Sequence, residues 1–489
     1  MFYILQGHSF LHEIQTVAQI FYPNEGFHPV DSPAAAGLTV ESRLIPAPET
    51  GEAAAARCVS RLYENGTLMA ENDIRTTTTS SIPPRKQAAR GLYDLLAGYM
   101  HTRPPWGMLT GIRPSKLIHQ AWDEGRTDAQ AVAFLENVYD VQPEKAQLCL
   151  SVAKAERHIL NTADPDSLSL YIGIPFCPTR CLYCSFTSYP YAKYQKLGLV
   201  DAYLEALGRE LAFVAEKLDG RPIQTIYIGG GTPTSLDEKQ LESLLRRIDA
   251  LLPRPRDEYT VECGRPDTLN NLKLSLLRAH GVTRISINPQ TMWDATLQVI
   301  GRAHTVADFE NAIAMARATG HDNINVDLIL GLPEETAADV SHTIRAVLAF
   351  TPENVTVHTL AVKRASRLRE ELAAHGLAGL TQAAQLERML DVVRTETAAA
   401  GLSPYYMYRQ KNMVGNFENV GYTQPGRECI YNIQIMEERQ SIWACGAGAA
   451  TKVVNRNTNH IYRIFNVKQA EHYIARIDEM IQRKRDGLK

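Results

Sequence analysis

The stretch that decides the fold is Tyr171-Ile-Gly-Ile-Pro-Phe-Cys177-Pro-Thr-Arg-Cys181-Leu-Tyr-Cys184, an apolar strand-like run followed by three closely spaced cysteines. A tight loop with this spacing can direct three thiolates into one volume. Soft thiolates select zinc or iron–sulfur clusters. Structural zinc almost always takes four protein ligands, and no second cysteine pair lies nearby. The count therefore favours a 4Fe–4S cluster with one open iron; zinc and three unrelated loop cysteines are the alternatives.

The composition is typical of a soluble globular protein with more than one domain. The 489 residues are 45% hydrophobic and 21% charged, with a formal net charge of −3, which gives no general electrostatic reason to expect nucleic acid. The first residues lack the features of a signal peptide, and no apolar run reaches the roughly 18 residues of a membrane span. We therefore expect a cytoplasmic monomer that neither binds nucleic acid nor inserts into a membrane.

Reduced thiols are the rule in that compartment, which suits a thiolate-bound cluster and argues against disulfides. The remaining cysteines are expected to be buried small apolar residues. They are Cys58, Cys149, Cys263, Cys429 and Cys445.

Residues 1–165 predict an α+β accessory domain. Strand-like segments at 38–44 and 57–63 are followed by a turn signal, Glu64-Asn-Gly, and by a linker over 76–84. Helical periodicity covers 86–99 and 129–159. The loop Trp106–Lys116 contains Gly, Arg and Lys before a short helical run. It is interpreted as a loop packed against a neighbouring domain, with an anion site at the helix N-terminus as the alternative.

Residues 166–380 alternate short apolar strands with amphipathic helices. Strands are predicted at 169–175, 224–229, 259–263, 284–288, 323–330 and 354–360, and helices at 200–218 and 237–252. Repeated strand–helix units predict parallel strands joined by crossovers, whose active site lies at the carboxyl ends of the strands. A glycine turn at 229–231 and carboxylates at Glu262 and Asp327 fall at these ends.

Cysteines spaced CxxxCxxC with an aromatic residue before the last one, here Tyr183, resemble the signature of radical S-adenosylmethionine (SAM) enzymes. The longer string from Tyr171 to Phe186 is similar to the HemZ-type branch of oxygen-independent coproporphyrinogen III oxidase-like proteins. This resemblance implies an α/β fold built on a partial (β/α)6 radical SAM barrel, with α+β extensions at both ends. It implies a 4Fe–4S cluster and one SAM, with space near Gly231 and Thr232 where some relatives hold a second SAM.

The resemblance also assigns site residues, position by position. The cluster ligands would be Cys177, Cys181 and Cys184. The SAM contacts would be Tyr171, Tyr183, Gly230, Gly231, Thr232, Glu262, Gln290, Arg302 and Asp327. Two departures affect the substrate and the reaction more than SAM cleavage: Phe186 stands where authentic oxidases carry a further cysteine, and the long N-terminal segment is extra. A further departure, Asn288-Pro289 where the family has Gly-Val, lies in the loop that carries Gln290.

Residues 381–489 are expected to form a domain that covers the substrate. A helix is predicted at 382–399. The stretch from Pro404 to Asn416 interleaves aromatic residues with Arg and Lys, which fits either a flat carboxylate-bearing ring system or an apolar interface. The small-residue segment Trp443–Ala450 resembles a family Gly-x-Gly segment, and tight packing explains it equally well.

The resemblance implies an oxidoreductase of haem biosynthesis that converts coproporphyrinogen III to protoporphyrinogen IX by oxidative decarboxylation. Reduced flavodoxin or ferredoxin would donate electrons. Two other functions stay open. One is a haem-binding chaperone, for which Tyr431 or Met436 would have to supply the axial ligand. The other is radical SAM methyl transfer or another tetrapyrrole modification.

Overall fold

The computed structural model describes residues 1–23, 25–46, 56–76, 83–111, 113–360, 383–410, 417–455, 458 and 460–488. These residues form two compact units. The first contains the described residues of Met1–Leu150 and of Arg409–Phe417. The second contains those of Ser151–Tyr408 and Glu418–Lys489.

The first unit is built on a five-stranded sheet of order β2-β1-β3-β4-β5. Its strands are β1 (Phe2–Gln6), β2 (His28–Pro29), β3 (Leu38–Ile45), β4 (Ala56–Glu64) and β5 (Thr67–Thr76). Strand β1 is parallel to β2 and β3, whereas β3, β4 and β5 are antiparallel. The predicted turn is confirmed, because Asn65 and Gly66 adopt positive φ angles of 50° and 79° between β4 and β5, as a two-residue hairpin requires.

Five helices accompany this sheet: α1 (Leu11–Phe21), α2 (Pro84–Tyr99), α3 (Ser115–Asp123), α4 (Asp128–Tyr139) and α5 (Pro143–Thr162), the last continuing into the second unit. Helices α1 and α2 bury Ile14, Leu92 and Leu96 in a core shared with the sheet. The prediction of one helical run over 129–159 is wrong. Asp140 ends α4 in the left-handed conformation, and the ring of Pro143 is tolerated only in a first helical turn.

The second unit contains an eleven-stranded sheet of order β14-β15-β13-β12-β11-β10-β9-β6-β16-β17-β18. Six of its strands lie side by side in chain order and are all parallel. They are β6 (Leu168–Ile174), β9 (Ile223–Gly230), β10 (Glu258–Glu262), β11 (Arg284–Ser286), β12 (Ile324–Leu330) and β13 (Asn354–Thr359). This is the predicted partial (β/α)6 barrel, and the strand ends differ from the prediction by at most two residues.

The crossover helices are α7 (Leu199–Leu218), α8 (Glu238–Leu251), α9 (Asn271–Ala279), α10 (Asp294–Val299), α11 (Val306–Ala318) and α12 (Ala337–Leu348). Three of them begin at a capping box in which the N-cap side chain and the third helical residue exchange hydrogen bonds. The N-cap residues are Asp237, Thr305 and Thr336. These caps satisfy backbone N–H groups that the first turn leaves unpaired, so the sequence fixes where each helix starts.

The C-terminal part of the chain extends the same sheet. Its elements are α13 (Ala383–Ala399), β14 (Ser403–Arg409), β15 (Glu418–Thr423), α14 (Ile430–Glu437), β16 (Ile442–Cys445), β17 (Ala450–Asn455), β18 (His460–Phe465), α15 (Ala470–Ala475) and α16 (Ile477–Gly487). Strand β16 runs parallel to β6, and β15 runs antiparallel to β13. The domain boundaries expected at residues 165 and 380 stay a prediction. The strands after residue 400 share one sheet with the barrel strands.

Two sequence segments of uncertain role have definite packing. Tyr405 and Tyr406 are buried in an apolar cluster, as the interface interpretation expects, while residues 411–416 lie outside the described part of the chain. Arg409 stacks its guanidinium 5.0 Å from the Trp106 ring and donates to the Leu109 carbonyl. No helix among the described residues combines the length and apolar character needed to cross a membrane.

Candidate functional site

The three cysteines lie in the loop between β7 (Phe176–Cys177) and β8 (Tyr189–Pro190), which follows β6 directly. The backbone N–H of Cys184 donates to the Cys181 carbonyl at 3.2 Å and closes a tight turn. All three thiols are free and partly exposed, whereas the chain's other five cysteines are buried. This division matches the predicted one between ligands and core residues.

The donor set around the three sulfurs does not make a closed zinc site. A tetrahedral zinc ion with Zn–S bonds of about 2.3 Å brings its sulfurs to roughly 3.8 Å from one another. Among the described residues, the three cysteines do not form a group whose ligand atoms all lie within 4.8 Å. Nor does a His, Asp or Glu complete such a group with them. Structural zinc takes four protein ligands, whereas three thiolates suffice for a 4Fe–4S cluster with one open iron, so the ligand count fits the cluster.

Two side chains outside the loop contact the sulfurs. The Thr232 hydroxyl donates to Cys177 Sγ at 3.6 Å, and Arg265 Nη1 lies 3.8 Å from Cys181 Sγ and donates to the Thr179 carbonyl at 3.2 Å. Arg265 is buried and held by Asp267 through two hydrogen bonds of 3.1 Å. Such donors stabilise thiolate charge and tune a cluster. Sequence reasoning assigned Arg265 no role.

Burial raises the pKa of the Cys177 and Cys184 thiols. Thiols must lose their protons to bind a metal. For Cys177, the hydrogen bond from Thr232 opposes the effect of burial, but the net pKa of the thiol stays raised. Without a metal the thiols are therefore expected to be neutral, and cluster assembly releases protons.

The glycine turn ends β9 and is tied to the strand before the cysteine loop. Gly231 N–H donates to the Ile174 carbonyl at 2.8 Å, and Thr232 N–H donates to the Phe176 carbonyl at 2.7 Å. A Cβ at position 231 would lie 2.6 Å from the Phe176 oxygen. Because real Cβ atoms do not approach carbonyl oxygens so closely, glycine is required here for the two loops to meet.

We expect Gly231→Ala to weaken SAM binding at least tenfold while iron content changes little, because the new methyl group pushes the turn away from β7. The measurement is equilibrium binding of SAM to the anaerobically reconstituted variant. Gly98→Ala is a control for folding, since Gly98 lies within helix α2 and no atom lies within 4 Å of a Cβ there. Equal SAM affinity for Gly231→Ala and the wild type would contradict this reading of the turn.

Glu262 lies beside the glycine turn. Its carboxylate accepts from the Tyr227 hydroxyl at 2.7 Å and from Gly230 N–H at 3.2 Å. Burial raises its pKa to about 7, despite these hydrogen bonds. The rings of Tyr171, Tyr227 and Tyr431 stack alongside, with centroids 4.4–6.3 Å apart and interplanar angles of 20–23°. A carboxylate that changes charge near neutral pH therefore stands against an aromatic wall.

Asp327 is the second carboxylate at the strand ends. It accepts from the side-chain amides of Asn288 at 2.9 Å and Asn325 at 2.7 Å. Burial raises its pKa, but hydrogen bonding and charge from His358 together with the Asn325 amide outweigh burial, and the net pKa is lowered. Asn288, one of the departures from the family pattern, is thus built into the network that holds Asp327 as an anion.

Gln290 presents a buried acceptor toward the same region. Its backbone has a positive φ of 71° and bridges Asp327 and Ile329. Its side-chain Oε1 is buried and has no hydrogen-bond partner within the described part of the chain. Buried polar atoms are rarely left unpaired in a native protein. This orphaned acceptor fits a ligand that brings its own donor.

Arg302 links the cysteine loop to the neighbouring strand ends. Its guanidinium donates to the Tyr183 hydroxyl at 3.0 and 3.2 Å and to the Gly264 carbonyl at 2.8 Å. Its predicted contact with the SAM carboxylate stays a prediction. What the structure adds is that Arg302 fixes Tyr183, the aromatic residue that precedes Cys184.

His358 is a site residue that sequence reasoning missed. It lies near the end of β13, with Nε2 3.7 Å from Asp327 Oδ2 and Nδ1 3.1 Å from the Tyr408 hydroxyl. The carboxyl-end rule that selected Glu262 and Asp327 would also have selected this histidine.

Comparison with known proteins agrees with this geometry. Residues 171–347 match the Radical SAM superfamily. The oxygen-independent coproporphyrinogen-III oxidase-like protein HemZ of Bacillus subtilis is 40% identical over 399 residues, covering 80% of this chain and 78% of that protein. The chain belongs to this HemZ family of radical SAM proteins. Superfamily members bind a 4Fe–4S cluster and SAM, and these are the cofactors of this HemZ family member.

Two further relatives are similar over smaller parts of this chain. The heme chaperone HemW of Bacillus subtilis is 34% identical over 313 residues, covering 64% of this chain and 76% of that protein. Coproporphyrinogen III oxidase (HemN) from Escherichia coli, a radical SAM enzyme of known structure, superimposes with a TM-score of 0.51 at 22% identity, covering 67% of this chain and 73% of that chain. At this identity the likeness supports the fold alone.

Proposed function

We propose that the protein is a radical SAM enzyme that acts on a tetrapyrrole, and that its reaction is the oxidative decarboxylation of coproporphyrinogen III to protoporphyrinogen IX. One observation carries the proposal. Three partly exposed thiols, the glycine turn and the Glu262 carboxylate meet at the carboxyl ends of adjacent strands, in a chain that belongs to the HemZ family.

In this proposal Cys177, Cys181 and Cys184 hold the cluster and leave one iron open. The glycine turn and Gln290 present backbone and amide groups to SAM, while Glu262 and Asp327 accept hydrogen bonds from its ammonium and ribose. When bound, the cluster and SAM supply a 5′-deoxyadenosyl radical that abstracts a hydrogen atom from the substrate. The tyrosine wall beside Glu262 excludes water from that space.

Each of two propionate side chains would lose a hydrogen atom to the deoxyadenosyl radical and then carbon dioxide and one electron, which passes to a one-electron acceptor, and would become a vinyl group. We further propose a cytoplasmic monomer that receives electrons from reduced flavodoxin or ferredoxin. The test is an anaerobic assay of the reconstituted protein with reduced coproporphyrinogen III, SAM and reductant, with product masses recorded. We expect two losses of carbon dioxide; SAM cleavage with no change in the tetrapyrrole mass would overturn the substrate assignment.

A second candidate function is heme binding without turnover, which the 34% identity to the heme chaperone HemW favours. Of the two ligands considered for it, Met436 is partly buried, and Tyr431 is buried and stacked 4.4 Å from the Tyr227 ring. A heme iron would have to displace that ring, so this arrangement supports the enzymatic proposal. Titration with heme, followed by the Soret band, discriminates the two: a stoichiometric shift that Tyr431→Phe abolishes would favour the chaperone.

The raised pKa of Glu262 predicts a pH dependence of SAM binding. Because the pKa is about 7, the carboxylate is mostly ionised at pH 8 and mostly protonated at pH 6. If the anion accepts hydrogen bonds from SAM, the dissociation constant for SAM is expected to rise about tenfold from pH 8 to pH 6. Glu262→Gln should bind weakly at both values. The same pH slope in both proteins, measured by equilibrium dialysis, would exclude Glu262 as the titrating group.

A further inference from the structure

The cysteine loop lies in a stretch of the chain that carries cations and no carboxylates. Between Asp166 and Asp201 the sequence contains Arg180, Lys193 and Lys196 and no aspartate or glutamate. The whole chain has a formal net charge of −3. The stretch that carries the three cysteines is therefore positively charged in a protein that is slightly acidic overall.

Two large apolar side chains stand exposed in the same stretch. Phe186, two residues after Cys184, is 68% exposed, and Leu197, at the end of the following helix, is 61% exposed. Arg180, Lys193 and Lys196 are exposed as well. Apolar side chains rimmed by charges of one sign are typical of surfaces that meet a partner of opposite charge.

The backbone places these residues beside the cysteine loop. Cys177 pairs with Pro190 across β7 and β8, and α6 (Tyr191–Lys196) starts at the next residue. Strand spacing and helical rise then put the Cα atom of Lys193 about 10 Å from that of Cys177. The cationic helix therefore borders the loop that holds the cluster ligands.

The two lysine charges are not neutralised within the described residues. No carboxylate lies within 4.0 Å of either ammonium group in that part of the chain. Three carboxylates on other elements also face α6 without forming an ion pair with its lysines: Glu471 accepts from the Tyr194 hydroxyl, and Asp201 and Asp237 interact electrostatically with Tyr191. The ammonium groups of Lys193 and Lys196 are thus available to pair with carboxylates of an approaching molecule.

We propose that Phe186 and Leu197, with Arg180, Lys193 and Lys196 around them, form the docking surface for an acidic one-electron carrier protein of the flavodoxin or ferredoxin class. The proposal rests on the proposed function in one respect, since it takes the cysteines to hold a reducible cluster. One electron leaves the carrier, which is oxidised by one electron, and enters the cluster; no bond forms and no proton moves.

A surface of this kind suits transient electron transfer. Complexes of redox partners bury little area and depend on electrostatic steering, which raises association rates about 10–10³-fold at low ionic strength. The apolar side chains provide short-range contact, and the lysines provide orientation. Binding is therefore expected to be weak, fast and sensitive to salt.

The test compares the wild type with Lys193→Glu/Lys196→Glu, using reduced flavodoxin as the probe at low and high salt. We expect the double variant to lower the flavodoxin-dependent rate of cluster reduction at least tenfold at low salt, and the difference to vanish at high salt. The dissociation constant for oxidised flavodoxin should weaken in parallel, which needs no cluster turnover. Dithionite, a small reductant, should reduce both proteins at the same rate.

A matched control reverses two exposed arginines that also lack an ion pair among the described residues, Arg278→Glu on α9 and Arg388→Glu on α13, which changes the net charge by the same amount. It should leave flavodoxin binding unchanged. Phe186→Ser should weaken binding severalfold with the salt dependence intact. Wild-type affinity and rate in the lysine variant, or an equal loss in the arginine control, would overturn the docking surface. Failure of dithionite to reduce any cluster would instead count against the proposed function.

Discussion

Replacing Cys181 with alanine is expected to abolish the cluster. Changes to residues that only contact metal ligands typically cost about 10–100-fold in metal affinity or activity, so loss of one of three thiolates should cost more. We expect iron and sulfide to fall to background after anaerobic reconstitution, and SAM cleavage to fall by more than about 100-fold. Iron analysis and the formation of 5′-deoxyadenosine measure the two effects.

Two further variants serve as reference points for Cys181→Ala. Cys58→Ala removes a buried thiol in the first unit and should retain wild-type iron content. Arg265→Gln removes the cation 3.8 Å from Cys181 Sγ and should fall between the two, within about 10–100-fold of the wild type in SAM cleavage. Retention of iron and activity by Cys181→Ala would mean that the three cysteines do not act as one ligand set.

The second large effect is expected from a buried ion pair between helices α16 and α7. Lys484 on α16 donates to Glu210 on α7 at 2.5 Å, and neither side chain is exposed to solvent. Glu210 also accepts from the Tyr473 hydroxyl and from Gly446 N–H. Because a buried carboxylate without its cation is strongly disfavoured, Lys484→Met should lower the free energy of unfolding by about 3–5 kcal/mol.

The pair also positions the barrel. Gly446 has a positive φ of 108°, and a Cβ there would lie 2.6 Å from the Gly173 carbonyl of β6. The Glu210 side chain thus holds the small-residue segment against the strand that leads to Cys177, which supports the tight-packing interpretation of Trp443–Ala450. Loosening it should weaken the cluster loop as well as the C-terminal helices.

Urea unfolding followed by circular dichroism measures this effect. The double variant Glu210→Gln/Lys484→Met replaces both charges and should recover much of the loss, because neither partner is left as an unpaired buried ion. A double variant as unstable as Lys484→Met alone would show that packing, and not charge pairing, sets the cost. An unchanged midpoint for Lys484→Met would contradict the account of the pair.

The barrel strands were predictable because each is a short apolar run followed by a helix with its own cap, and these signals are local. The sequence pattern predicts α4 and α5 as one helix, because the helical periodicity continues on both sides of the left-handed turn at Asp140. The joining of β16 to β6 could not be predicted. These strands are separated by most of the barrel in sequence, and no local pattern encodes such a pairing.

The same limit applies to the site. Cys177, Glu262 and Asp327 carry sequence signals, namely a spacing or a carboxylate at a strand end. Arg265 has no such signal, because its role depends on a 3.8 Å approach to a sulfur that lies 84 positions earlier in the chain. The Glu210–Lys484 pair spans 274 positions and reads in the sequence as two ordinary charges on helices. Only the folded chain brings these groups together.

The most direct test of the central claim, that three cysteines hold a cluster with one iron open to SAM, is electron paramagnetic resonance of the anaerobically reconstituted and reduced protein with and without SAM. We expect the signal of a one-electron-reduced 4Fe–4S cluster, with a spectrum that changes when SAM is added because the cofactor binds at the open iron. A reduced cluster whose spectrum is unaffected by saturating SAM, or protein that binds no cluster, would contradict the account.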